Sequence, residues 1–153
     1  MFIALYSTKR SGTWLVATPE TLIGGHCGQM HTMALAGTMR PGTGEWSDKN
    51  KREQKYVETY ITECVRQFSD DINVEGPYTT YAADLQHLRS DIRFSMNDTA
   101  LIGNVVDALH PTPAVCGIPK DETRRFIIDN ESQPRGYYSG FAGPFNPNGD
   151  THL

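Results

Sequence analysis

The sequence holds 153 residues, 38% of them apolar and 21% charged, with a formal net charge of −4. Such a length supports one domain that buries about 70% of the surface its unfolded chain exposes. The acidic balance argues against a nucleic-acid partner, whose phosphates need a positive surface, but leaves room for an anionic small substrate in a locally positive pocket.

In chain order, Phe2–Tyr6 and Thr13–Ala17 predict two short, β-rich strands around a Lys-Arg-Ser-Gly turn. Thr18-Pro19-Glu20 closes the second. Gly24-Gly25 and Gly28 punctuate the next stretch, and Met30–Ala36 predicts a strand ending at Gly37-Thr38, ahead of a Pro41–Gly44 loop. Ser47 or Asp48 caps a long helix to about Phe68, in which Val57, Tyr60, Ile61, Cys64, Val65 and Phe68 follow the spacing of a buried stripe. Glu53, one turn before Val57, is expected on the same face. Short strands are expected at Ile72–Val74 and Tyr78–Tyr81, and a longer one from Leu85 to Phe94. Asp98 or Thr99 caps a helix carrying Leu101, Ile102, Val105, Val106 and Leu109, which His110-Pro111-Thr112-Pro113 must break. Pro119 opens another helix, with Phe126–Ile128 near its end. Tyr137–Phe145 predicts an extended, glycine-rich stretch, Asn146–Gly149 a hairpin turn, and Thr151-His152-Leu153 the start of a strand. With no repeat or linker, residues 1–153 read as one α+β domain or part of one.

No stretch is long enough to span a membrane, and Met1–Tyr6 lacks the basic start and long apolar run of a signal peptide. Cys27, Cys64 and Cys116 are odd in number and widely spaced, without a CxxC or HxxxH pair that would suggest zinc. They read as reduced core residues of a cytoplasmic protein.

Glu53 is the most informative residue on physical grounds. A carboxylate on an apolar helix face needs a cation, a hydrogen-bond network or a raised pKa, and Mg²⁺ would suit it. The plainer alternative is a first-turn acid complementing the helix dipole. Glu20, after a strand and a proline, projects either into a cleft or into solvent. His87 sits in a strand-like run and reads first as a hydrogen-bonded core histidine. The segment His110–Gly117 is either a structural turn or a rigid loop presenting backbone N–H groups to a carboxylate.

Four ordered segments resemble the chorismate-binding family, which includes isochorismate, salicylate, anthranilate and aminodeoxychorismate synthases. They are Ala17-Thr18-Pro19-Glu20, Ala34-Leu35-Ala36-Gly37-Thr38, Asp48-Lys49-Asn50-Lys51-Arg52-Glu53, and Leu109–Pro119 followed by Glu131 and Arg135-Gly136-Tyr137-Tyr138-Ser139-Gly140. Gln86-His87-Leu88 falls between the third and fourth. The Pro-Thr-Pro-Ala form is similar to the isochorismate synthase branch, of menaquinone or siderophore type.

The resemblance implies an α/β sandwich of the aminodeoxychorismate synthase type with a mainly antiparallel sheet, of which this chain would be the central part. It implies reversible addition of water at C2 of chorismate with loss of the C4 hydroxyl. Glu20 matches the general acid and Glu53 a Mg²⁺ ligand; Leu35, Gly37, Thr38, His87 and Ala114 match positions lining the substrate. The family's general-base lysine lies well upstream of the Ala-Thr-Pro-Glu segment, and Lys9 does not match it. Further ligands would lie past Leu153, so the chain alone is expected to be nearly inactive, and open sheet edges are expected to favour self-association. Salicylate or anthranilate synthase, or a non-catalytic binding remnant, are the alternatives.

Overall fold

The computed structural model describes residues 2–153; Met1, the first residue of the Met1–Tyr6 segment, lies outside them. Strands β1 (Phe2–Thr8) and β2 (Gly12–Thr18) form the expected hairpin, in register from Phe2 opposite Thr18 to Thr8 opposite Gly12. Strict alternation places Phe2, Tyr6, Trp14 and Val16 on one half-buried face. On the other face Ile3, Leu5 and Leu15 are 61%, 70% and 72% exposed.

The main sheet is built from β3 (Gly24–His26), β4 (Gln29–Met39), β5 (Ile72–Ala82), β6 (Leu85–Ser95) and β7 (Asp150–His152), in the order β5-β6-β4-β3-β7. Every neighbouring pair is antiparallel, so the predicted α+β class with a mainly antiparallel sheet holds. The predicted strand that should end at Gly37 instead continues to Met39 through a bulge between Ala36 and Thr38. Gly37 makes the bulge possible: its φ is +70°, and an added Cβ would stand 3.3 Å from the Trp46 ring and 3.4 Å from Asn50 Cβ. The two short strands expected between Ile72 and Tyr81 are one strand, β5, interrupted by an irregularity between Glu75 and Tyr78 at Gly76-Pro77. Strand β3, where the sequence shows only glycine punctuation, is too short to show periodicity.

Helix α1 (Asp48–Arg66) starts at Ser47, whose side chain accepts from the Asn50 N–H at 3.2 Å. Asp98 caps a 3₁₀ turn at Thr99–Leu101 that leads into α2 (Ile102–Leu109). Helix α1 packs on one face of the main sheet, and α2 packs against α1. Ile23, Ala34, Ile92, Val65, Val105 and Leu109 are at most 1% exposed between them, each larger side chain contributing about 1.5–3 kcal/mol by leaving water. His110-Pro111 ends α2, as expected, and Lys120 Nζ donates to the C-terminal carbonyls of Ala108 at 3.0 Å and His110 at 2.9 Å, a cation placed at the negative end of the helix.

Helix α3 (Pro113–Cys116) is a single turn within the segment expected to be a rigid connection. Helix α4 (Lys120–Asn130) opens at Pro119, but it buries none of its residues, and Phe126 and Ile128 are 67% and 62% exposed. Tyr137–Phe145 is not a strand: Gly136–Ser139 forms a turn and the rest is irregular. The Asn146–Gly149 turn closes with the Gly149 N–H donating to Asn146 O at 3.1 Å, and it delivers β7 to the edge of β3.

The expected place of Glu53 is corrected. Gln54, Val57, Glu58, Ile61, Cys64 and Val65 make the buried stripe, and Glu53 is exposed. At about 100° per residue, Glu53 lies roughly 80° from the centre of that stripe, beyond its edge. The buried acid of α1 is Glu58, which accepts from Ser90 Oγ at 2.6 Å and from Lys55 Nζ at 2.6 Å.

Candidate functional site

A cleft of about 560 Å³ opens between the inner face of the hairpin, the main sheet, and the segments around Thr112 and Tyr137. Its aromatic wall is built from Tyr6, Trp14 and Tyr137; Tyr137 meets Trp14 edge-on at 5.5 Å and Tyr6 at 6.1 Å between ring centroids. Tight clusters of this kind hold a shape that a ligand can fit without reordering many rotamers.

Three of the residues singled out in the sequence, Glu20, Leu35 and Ala114, line this cleft. Leu35 reaches it from β4 and Ala114 from α3. Glu20 follows β2 after Thr18-Pro19; its N–H donates to Thr18 Oγ1 at 3.2 Å, and Leu22 and Ile23, just beyond it, donate to the Leu153 carbonyl. Solvent reaches Glu20 at the rim, yet protein crowds it on its other sides. That desolvation holds the carboxyl above its ordinary pKa, against an opposing pull from His87.

His87, Thr38 and Gly37 form a second, connected group. His87 Nδ1 lies 3.2 Å from Thr38 Oγ1 and 3.2 Å from the Gly37 carbonyl. The bulge at Gly37 sets this contact, since it brings Thr38 opposite His87 in the register of β4 and β6. These three do not line the cleft itself, but His87 is close enough to Glu20 to act on its charge.

Glu53 is not drawn into either group. Its carboxylate pairs with Lys49 at 3.6 Å across one helical turn, with 47% of the side chain exposed, an arrangement worth little in water. Mg²⁺ takes one or two protein carboxylates and completes its shell with water and substrate oxygens. Glu53 therefore has the donor chemistry for one ligand, while among the described residues no group of three His, Cys, Asp or Glu side chains is placed to hold a metal unaided.

In the sequence Arg135 stands only as part of a motif, without a role. It is the one Arg or Lys among the described residues that line the cleft. Glu131 holds its guanidinium, with Nε donating to Glu131 Oε2 at 2.6 Å, and Nη1 donates to Ser139 Oγ at 3.3 Å. The guanidinium carbon also sits 5.7 Å from the Tyr138 ring centroid. An arginine followed by Gly136 and two tyrosines is the signal in the sequence that could single it out. His110, also at the cleft, is stacked edge-on against Phe141 at 5.1 Å, and burial lowers its pKa, with Lys120 adding to the effect.

The arrangement combines an apolar and aromatic cleft, a carboxyl with a raised pKa at its rim, and one fixed guanidinium. Such a carboxyl is protonated in a larger fraction of molecules near neutral pH than an ordinary glutamate, as a proton donor must be.

Among known proteins, the chain is 31% identical to the salicylate biosynthesis isochorismate synthase of Pseudomonas aeruginosa, over 91% of this chain and 32% of that protein. It is 33% identical to isochorismate synthase MenF of Escherichia coli, over 85% of this chain and 32% of that protein. The solved structure of MenF, the menaquinone-specific isochorismate synthase from Escherichia coli, superposes with a TM-score of 0.81 at 29% identity, covering 90% of this chain and 35% of that one. The chain thus spans about a third of the length of the curated relatives it matches. The family model described as "Chorismate binding enzyme" matches residues 2–153, and the chain belongs to that family.

Proposed function

We propose that this chain carries the proton-donating side of an isochorismate synthase site, in a protein that interconverts chorismate and isochorismate. The observation that carries the reading is Glu20: a carboxyl crowded at the rim of a cleft that also presents Leu35 and Ala114. In the reaction, water adds at C2 while the C4 hydroxyl leaves. Glu20 gives its proton to the departing oxygen, which avoids expelling hydroxide. Crowding by the surrounding protein favours the protonated form of Glu20 beforehand, and His87 favours the carboxylate that remains afterwards. Arg135 is available to one of the substrate's carboxylates, and the Trp14–Tyr137 wall excludes water from the other side of the ring. Thr38 and Gly37 act through His87, by fixing its ring.

Magnesium, when bound, would screen the ring carboxylate, and Glu53 is the residue of this chain that would supply one ligand to it. No lysine is among the described lining residues, and Lys9, in the β1–β2 turn, is exposed. The chain by itself is therefore read as binding chorismate with negligible turnover. The menaquinone branch is preferred over the siderophore branch, and the protein is read as cytoplasmic; no helix among the described residues is long and apolar enough to cross a membrane.

The test is calorimetric titration of chorismate, with Mg²⁺ present, into the 153-residue chain, beside a turnover assay. Saturable heat is expected from the wild type and from Glu20→Gln, and none from Leu35→Asp. Absence of heat from the correctly folded wild type would sink the reading in favour of an interaction or structural role. Salicylate or anthranilate as the product would move it to another branch of the family.

A further inference from the structure

Outside the described residues that line the cleft, three side chains come together at the β3–β4 turn and the start of β7. Cys27 and Gly28 are the central residues of the β3–β4 hairpin, with φ of +47° and +82°. Two positive φ values in a two-residue turn are the geometry that Asn-Gly or Gly-Gly usually fills. A cysteine there carries a Cβ that this left-handed backbone disfavours, so local propensity does not account for it. The Asn146–Gly149 turn packs onto it: the Cys27 N–H donates to Gly149 O at 3.4 Å, and Sγ lies 3.8 Å from Asn148 O.

His26, the last residue of β3, stands directly opposite Asp150 of β7 in the ladder. Cross-strand partners face the same side of a sheet, and His26 Nδ1 lies 2.7 Å from Asp150 Oδ1. A carboxylate only accepts, so Nδ1 donates, and the neutral ring is left with a free lone pair on Nε2. That nitrogen lies 3.1 Å from Cys27 Sγ. A thiol, a base in reach of its proton, and a carboxylate orienting the base are the parts of an activated nucleophile. The cluster is open to solvent: Cys27 is exposed, and the His26 and Asp150 side chains are 66% and 85% exposed.

We propose that His26, Cys27 and Asp150 form a covalent modification site, at which Cys27 adds to small α,β-unsaturated carbonyl compounds with His26 as base. The thiol proton passes to His26 Nε2 and the sulfur lone pair forms an S–C bond at the β-carbon of the electrophile. The π pair moves to the α-carbon as an enolate, and the imidazolium returns its proton there. Nothing leaves and nothing is oxidised or reduced, so the addition needs no further reactant. Cys64 and Cys116 serve as internal comparisons, because both are buried and burial pushes their thiols up in pKa.

The experiment uses limiting N-ethylmaleimide on the 153-residue chain, with timed quenching and mass mapping of each cysteine. Cys27 is expected to react at least about a hundredfold faster in the folded chain than in the same chain unfolded in urea at equal pH, the low end of what a positioned base contributes. A thiol that is merely exposed gains nothing from folding. His26→Asn should bring the folded rate down to the unfolded one, and Asp150→Asn should lower it in part. A folded rate equal to or below the unfolded rate overturns the proposal, and this comparison needs no variant. An unchanged rate in folded His26→Asn overturns it equally.

Discussion

Replacing Ser90 by alanine tests how α1 is held against the sheet that carries the site. Ser90 is fully buried; its hydroxyl donates to Glu58 Oε2 at 2.6 Å and accepts from Gln54 Nε2 at 3.2 Å. Gln54, also fully buried, gives its other amide proton to the Ala34 carbonyl at 3.0 Å, next to Leu35 of the cleft. Ser90→Ala leaves a carboxylate oxygen and an amide proton without partners in the interior. The bond to the charged group is worth ~1.5–3 kcal/mol and the neutral one ~1 kcal/mol, so the loss should be about 3 kcal/mol. That is a large part of the ~5–15 kcal/mol that stabilises a domain. Urea denaturation followed by circular dichroism should show a lower midpoint at an unchanged slope. Glu58→Gln, which keeps an acceptor for Ser90, should lose about 1 kcal/mol.

The same network predicts a pH dependence. Glu58 is 6% exposed, with one carboxylate oxygen reaching the surface at Lys55. Burial raises its pKa, but hydrogen bonds from Lys55 and Ser90, with the Lys55 charge, outweigh it and hold the carboxyl below its ordinary value. A folded pKa below the unfolded one stabilises the protein above the unfolded value, about 4.3 for glutamate, and that stability is lost as pH falls through the folded value. Ser90→Ala should flatten this acid limb. A loss under about 1 kcal/mol with the acid limb intact would refute the network as the clamp on α1.

Gly37→Ala should destabilise by about 1–2 kcal/mol, because alanine must hold the left-handed conformation at φ +70° and meet Trp46 and Asn50; a neutral thermal melt would contradict the account of the bulge. Glu20→Gln should raise the melting temperature at pH 7. The raised pKa of Glu20 means that its stabilising, neutral form is fully present below the unfolded pKa and lost as pH rises through the folded one. Wild type and variant should converge in acid, and a destabilised variant at neutral pH would show that burial is not what raises Glu20. Ile3, Leu5 and Leu15 leave one hairpin face apolar and open. The wild-type chain should therefore self-associate, and Leu5→Asp with Leu15→Asp should reduce it to monomer; sedimentation of the wild type as a clean monomer at high concentration would count against this.

The elements legible beforehand are those whose pattern is local. The β1–β2 hairpin, the Ser47 cap, the apolar face of α2 and the stop at His110-Pro111 each follow from side chains a few residues apart, whose steric and hydrogen-bonding preferences act within one segment. Motif order placed Glu20, Leu35 and Ala114 on the candidate site, and the fold brings all three to one cleft.

Tertiary contact decided the rest. Whether Glu53 or Glu58 is the buried acid of α1 depends on how the helix is rotated against β4 and β6, which a pairwise spacing to Val57 does not specify. That β4 continues past Gly37 depends on β6 being there to pair with Thr38 and Met39. Three-residue strands such as β3 and β7 exist only because neighbours supply their hydrogen bonds. The same cross-strand pairing sets His26 beside Asp150, 124 positions away in the chain. Local preference chooses the conformation of a segment, but burial and long-range pairing choose its rotation, its ends and its partners, and it is those that assemble a site.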